Sequence, residues 1–185
     1  LQDVKAYLSK RDDLQVKYKP KSYNSFVSPG ANFEYEIDIM DIEAKNSTSD
    51  TRYGLVAIDN FTKIAEVIPI KNRTPESIIA GLKKIIAEMG KPKQLYSDEE
   101  SSVKSAKMVE FLNRTEIKSV QTSTHAHTVE RFIRTFKDNL YRRLDALKQT
   151  KKDWYRHIGP IIKKYNSTEH STIRIKPNEA GEKRN

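Results

Sequence analysis

Cysteine is absent from the 185 residues. That excludes a disulfide framework and any cysteine-ligated zinc site, and it fits a reducing compartment. No apolar run approaches the ~20 residues that a membrane-spanning helix needs. The opening Leu1-Gln2-Asp3-Val4-Lys5 lacks the charged-then-apolar pattern of a secretion signal. An initiator methionine is missing as well, so the chain reads as a fragment of something longer. There is no internal repeat and no low-complexity tract. What the chain does have is positive charge, with a formal net of +9 and a pI of 9.5. A balance this basic favours a polyanionic partner. Nucleic acid fits better than a membrane surface, because no basic amphipathic helix carries an aromatic face. The length suffices for one domain with a core and some peripheral segments.

Residues 1–12 have the spacing of a short helix through Val4, Tyr7 and Leu8. Residues 13–34 mix Lys17, Lys19, Lys21, Pro20, Pro29 and Gly30 with Ser and Asn, the composition of a basic extended linker. Residues 35–42 alternate as a strand, with Ile37 and Ile39 on one face and Asp38 and Met40 on the other. After a polar loop over 43–51, strands at 53–58 and 64–69 flank the turn Asp59-Asn60-Phe61-Thr62, giving an antiparallel meander. Pro75 opens a helix capped by Thr74 and stopped by Gly90 and Pro92. A strand at 94–97 then runs into Asp98. A helix at 103–114, a fifth strand at 117–120, a polar loop, a long helix at 128–148 and a last helix at 152–165, with Pro160 as a candidate kink, complete the order. The polar end, 176–185, is expected to fray. Three strands followed by alternating helices and strands predict an α/β domain, a mixed sheet flanked by helices. The domain division is 1–34 for an N-terminal region and linker, 35–175 for the core and 176–185 for the tail.

Three acids occupy positions from which they could converge. Asp38 lies in mid-strand, Asp98 at a strand end, and Glu130 in the first turn of the long helix. Crowded carboxylates repel unless a cation relieves them. Mg²⁺ takes hard oxygen ligands, and a pair of such ions suits chemistry at a phosphodiester. Asp41, Asp59, Glu99 and Glu100 compete for the same roles, and one β-bulge would bring Asp41 to the Asp38 side. On the long helix, Glu130, Arg134, Lys137 and Tyr141 form one stripe, beside an apolar stripe of Ile133, Phe136, Leu140, Leu144 and Leu147. This places two cations beside a carboxylate, either as i,i+4 pairing on a solvated face or as holders of DNA phosphates. His125 and His127 form a His-x-His in the preceding loop, too few ligands for zinc and better suited to a DNA-contacting or filler loop. Trp154 opens an apolar stripe and is expected in the core.

These residues resemble a known family. Glu36-Ile37-Asp38-Ile39, Ala65-Glu66-Val67-Ile68-Pro69, Tyr96-Ser97-Asp98 and His127-Thr128-Val129-Glu130-Arg131-Phe132-Ile133-Arg134-Thr135-Phe136-Lys137 are similar to segments of retroviral-type integrase catalytic cores. Trp154, the stretch Tyr165–Thr172, and Pro177-Asn178-Glu179-Ala180 continue the likeness, which covers about residues 33–180 and is nearest to integrases of Maverick/Polinton elements and virophages. The resemblance implies an RNase H-like fold with a five-stranded mixed sheet. It also implies metal ligation by Asp38, Asp98 and Glu130, Mg²⁺ as cofactor with Mn²⁺ able to substitute, and DNA 3′-end processing followed by strand transfer. Arg134 and Lys137 match family positions that meet element DNA, and Arg131, His125 and His127 are further candidate DNA contacts. Double-stranded DNA at element ends and target is the implied partner, in a homodimer or higher oligomer, in the host nucleus or a virus particle or factory. Two departures stand out: Glu100 occupies the place of a usual Gly after the second Asp, and the interval from Asp98 to Glu130 is short. The other readings are a hydrolysis-only RNase H-like nuclease, a degenerate core that binds DNA or assembles without catalysis, and a basic interaction domain of no nuclease ancestry.

Overall fold

The computed structural model describes residues 28–42, 51–97, 105–121 and 127–181. The helix expected at 1–12, most of the linker, the loop after residue 42, Asp98, Glu99, Glu100 and His125 lie outside the described residues.

Three strands, β1 (Glu34–Asp41), β2 (Tyr53–Asp59) and β3 (Ala65–Ile70), form the expected meander. Helix α1 (Pro75–Met89) then crosses to β4 (Gln94–Ser97), and α2 (Ala106–Arg114) leads to β5 (Lys118–Gln121). The sheet order is β3-β2-β1-β4-β5. β4 pairs parallel to β1 and β5 parallel to β4. The two parallel additions follow from the helical crossovers, which a two-residue hairpin cannot replace. Helix α3 (His127–Ala146), a 3₁₀ segment (Lys151–His157) and α4 (Ile158–Asn166) complete the described fold, with a 3₁₀ turn at Pro177–Glu179.

Local chemistry sets the boundaries. Thr74 caps α1, its hydroxyl accepting from the Ser77 amide, with Pro75 in the first turn where a missing N–H costs nothing. Gly90 ends the helix at φ 94°, a conformation that side-chain-bearing residues resist. Ser105 caps α2 in the same way through the Met108 amide.

Because helices cover both faces, β1 is largely buried on both. Tyr35, Ile37 and Ile39 pack with α1 and α2 through Ile78, Leu82, Met108 and Phe111. Met40 and Ile42 pack on the opposite face with Val129, Phe132, Phe136 and Leu140 of α3, with Trp154, and with Ile158 and Ile161 of α4. Gly54 on β2 permits this second layer: a Cβ there would sit 2.6 Å from Met40 Cε and 3.0 Å from the Trp154 ring. Gly54→Ala is therefore expected to destabilise the protein by about 1–3 kcal/mol, the usual range for overpacking, read as a lower midpoint in urea unfolding.

Four expectations are corrected. The last helix is two pieces, a 3₁₀ segment and α4, which meet at His157–Ile158, and the 3₁₀ segment itself carries a non-helical residue, Asp153 (φ −108°, ψ 28°). Pro160 causes no kink, because it sits in the first turn of α4, where amides lack intrahelical partners anyway. The buried stripe of α3 is Val129, Phe132, Phe136, Leu140 and Leu144; Ile133 is only partly buried and Leu147, beyond the helix end, is exposed. Finally, the stretch 176–181 does not fray, since Pro177 and Ala180 are buried.

Candidate active site

Asp38 lies at the centre of β1, opposite Val56 on β2, and is half-buried. It shares its face with Met40, so it looks toward the α3 layer. Its Oδ1 accepts from the Ile39 amide at 2.6 Å. The parallel register aligns Ile37 with Ser97, the last described residue before Asp98, so β4 ends one position short of the level of Asp38. Glu130 is exposed in the first turn of α3. Arg134 stands 3.8 Å from it, too long for a hydrogen bond and too exposed to lock the carboxylate.

Two of the competing acids have other employment. Asp59 is buried and accepts from the amides of Asn32 and Phe61, each at 2.8 Å, which fixes the β2–β3 turn. Asp41 has the opposite parity to Asp38, with no bulge between them, and forms a two-pronged pair with Arg52 at 2.8 and 2.6 Å. That hydrogen bond holds the Asp41 carboxyl below its ordinary range, with Arg73 and Lys137 adding to the same field. Arg52 and Arg73 both lie over the Tyr53 ring, beside Asp41 at the C-terminal end of β1. Arg131 faces elsewhere. It lines a cavity of ≈ 370 Å³ on another flank of α3 with Lys63, His170 and the hydroxyl-bearing Thr128, Thr135 and Thr172. Burial depresses both Lys63 and His170. His127 is the exposed first residue of α3.

Sequence reasoning passed over Glu34 and Glu36. Both share the Asp38 face of β1 and both are buried. Glu36 Oε2 accepts from the amides of Thr128 at 3.0 Å and Val129 at 2.9 Å, and its Oε1 accepts from Asn60 Nδ2 at 2.9 Å. Asn60 also donates to Glu34, whose other oxygen accepts from Gln94 Nε2 at 2.9 Å. The available signal was three acids, Glu34, Glu36 and Asp38, at alternate positions of a strand expected between layers of helices, where a buried acid demands partners.

Among the described residues, no three His, Asp or Glu side chains gather into a metal-binding group. Asp38 and Glu130 nevertheless suit a hard divalent cation: both are carboxylates, one on the central strand and one on a helix packed over it. The third expected ligand, Asp98, lies outside the described residues.

A five-stranded mixed sheet with a central acidic strand, helices on both faces and a long helix leading off with a carboxylate is the architecture of integrase catalytic cores, an RNase H-like fold. The HTLV-2 integrase catalytic core domain, solved with magnesium in a trimeric form, matches with a TM-score of 0.72 at 18% identity, over 83% of this chain and 99% of that one; its dimeric form matches at 0.71 with the same identity and coverage. A chain of the simian T-cell lymphotropic virus intasome in complex with the PP2A regulatory subunit B56 gamma matches at 0.73 with 17% identity, over 84% of this chain and 56% of that chain. A search of curated protein sequences finds no match. The family model of the integrase core domain matches residues 29–127, and the chain belongs to that family. Glu130 and the rest of α3 lie just beyond this match, within a helix that the fold supplies.

Proposed function

We infer that this chain is the catalytic core of a DNA integrase, acting on the ends of a mobile element of the Maverick/Polinton or virophage kind. The observation that carries the reading is Asp38 at the centre of β1 beneath the helix whose first turn bears Glu130, in a chain whose family is the integrase core. Asp38, Asp98 and Glu130 would hold divalent metal, and the magnesium in the HTLV-2 core supports Mg²⁺ as that metal. When bound, such ions lower the barrier at phosphorus by activating the attacking oxygen and stabilising the leaving one.

The protein's own part is to present and orient. In end processing, a water oxygen bonds to phosphorus and the P–O3′ bond breaks. That frees a 3′-OH, which takes up a proton, while the released fragment keeps the 5′-phosphate. In strand transfer, this 3′-OH attacks a target phosphorus and the target's P–O3′ bond breaks. Arg134, Lys137 and His127 are suited to hold DNA phosphates along α3, and Arg131 those on its other flank, with His125 as a further candidate contact from the preceding sequence. The core is taken as 35–175, working as a dimer or higher assembly on double-stranded DNA in a host nucleus or viral factory. The dimeric and trimeric HTLV-2 cores support the assembly.

The test is cleavage and joining of short duplexes under Mg²⁺ or Mn²⁺ titration. Glu130→Gln is expected to lower both rates by about 10²–10³-fold, the usual effect of removing one electrostatic group from a reacting centre. Equal rates in wild type and variant would sink the assignment. Nicking without joining would favour the hydrolysis-only nuclease.

A further inference from the structure

We propose that Glu36 is a positioning residue: its buried carboxylate clasps the N-terminus of α3 and thereby sets Glu130 at a fixed place relative to Asp38. The first amides of a helix have no intrahelical acceptor. Here Thr128 and Val129 give theirs to Glu36 Oε2, at 3.0 and 2.9 Å, across ninety-two and ninety-three residues of chain. Glu130 is the next residue. Asp38 is two residues along β1 from Glu36 on the same face, about 7 Å away by strand rise. One side chain therefore ties together the strand and the helix that carry the two described candidate ligands.

The clasp is built into the core rather than laid on the surface. Glu36 is 4% exposed and Val129 is fully buried. A buried carboxylate is tolerated only when its oxygens are satisfied. Two helix amides, Asn60 Nδ2 and the positive end of the helix do this together. Asn60 extends the tie to Glu34, and Glu34 extends it to Gln94 on β4, the strand that runs into Asp98. Its bonds to α3 and Asn60 explain why Glu36, though acidic and beside Asp38, acts through another residue instead of taking a metal itself.

The proposal rests on the reading of Asp38, Asp98 and Glu130 as metal ligands, and its test has an arm that does not. Amide hydrogen exchange on the metal-free chain is expected to show Thr128 and Val129 protected, and Glu36→Ala to speed their exchange by more than tenfold. Glu36→Gln keeps an acceptor and the side-chain volume, so it should restore most of the protection. In Mn²⁺ titration, Glu36→Ala should weaken binding by about 10–100-fold, the usual effect of losing a group that orients a ligand, with half-saturation by duplex DNA unchanged; Glu36→Gln should recover most of it. Leu144→Ala, at the far end of α3, should lower stability and leave Mn²⁺ affinity alone. Unchanged exchange in Glu36→Ala would overturn the clasp. Faster exchange with unaltered Mn²⁺ affinity and cleavage would overturn the positioning role. A wild-type chain that binds no Mn²⁺ would sink the metal-site reading, and the positioning role with it, while the exchange result still reports on the clasp.

Discussion

Asp38→Asn is expected to remove metal-dependent cleavage and joining, by about 10³-fold or more, while leaving the fold as stable as before. The two halves of this expectation come from the same geometry. Asn has the shape of Asp, and its carbonyl can still accept from the Ile39 amide where Asp38 Oδ1 does now at 2.6 Å. Met40 and Ile42 keep their packing against α3, since the substitution leaves their parity untouched. Glu34 and Glu36 lie on the same face as Asp38, so removing one negative charge relieves repulsion, and the unfolding midpoint should hold or rise slightly. What disappears is a hard anionic ligand, which an amide replaces poorly for Mg²⁺. The measurement pairs urea unfolding with Mn²⁺ titration and duplex cleavage. A variant that keeps its metal affinity and rate would show that Asp38 is only a strand residue. A variant that loses both, but also several kcal/mol of stability, would place Asp38 in the fold's own polar network.

How much was legible beforehand depended on how local the cause was. The five strands and α1 were read to within a residue because their signals are local: alternation in β1, the turn at Asp59–Thr62, and the Thr74-Pro75 start and Gly90 stop. The stripe of α3 was misjudged because several registers of a 3.6-residue period fit a sequence rich in Phe, Ile and Leu. The buried register is fixed by what lies opposite, Met40 and Trp154, which are far away in sequence. Pro160 carried the wrong implication for a similar reason, since a proline kinks a helix interior but not a first turn, and α4 begins only at Ile158, after the 3₁₀ segment ends at His157. At the site, Asp38 and Glu130 were legible as residue types at element positions. Glu36 was not. An acid in a strand is read as facing water, and only the arrival of α3 shows that water is replaced by two backbone amides.

Trp154→Ala is expected to cost about 3–5 kcal/mol, the largest stability loss of any single truncation on the α3 side of the sheet. The ring is fully buried, stands edge-on to Phe136 at 6.5 Å, and fills the space that Gly54 leaves over β2. Its indole N–H also donates to the Thr51 carbonyl at 2.7 Å, fastening the 3₁₀ segment to the chain entering β2. Truncation therefore opens a large cavity between β2 and α3 and leaves that carbonyl to find water. Trp154→Phe separates the two contributions, since it keeps most of the packing and should cost only about 1–2 kcal/mol more than the lost contacts of the smaller ring. In a protein whose total stability is expected to be about 5–15 kcal/mol, the Ala variant should melt about 10 °C or more below wild type. Its activity should fall only as far as its folded fraction falls, with Mn²⁺ affinity intact in the folded molecules at low temperature. Trp154 holds the body of α3, whereas its first turn is held by Glu36. A Trp154→Ala protein that stays folded yet binds Mn²⁺ weakly would mean that the placement of Glu130 depends on the whole helix and not on its clasped end.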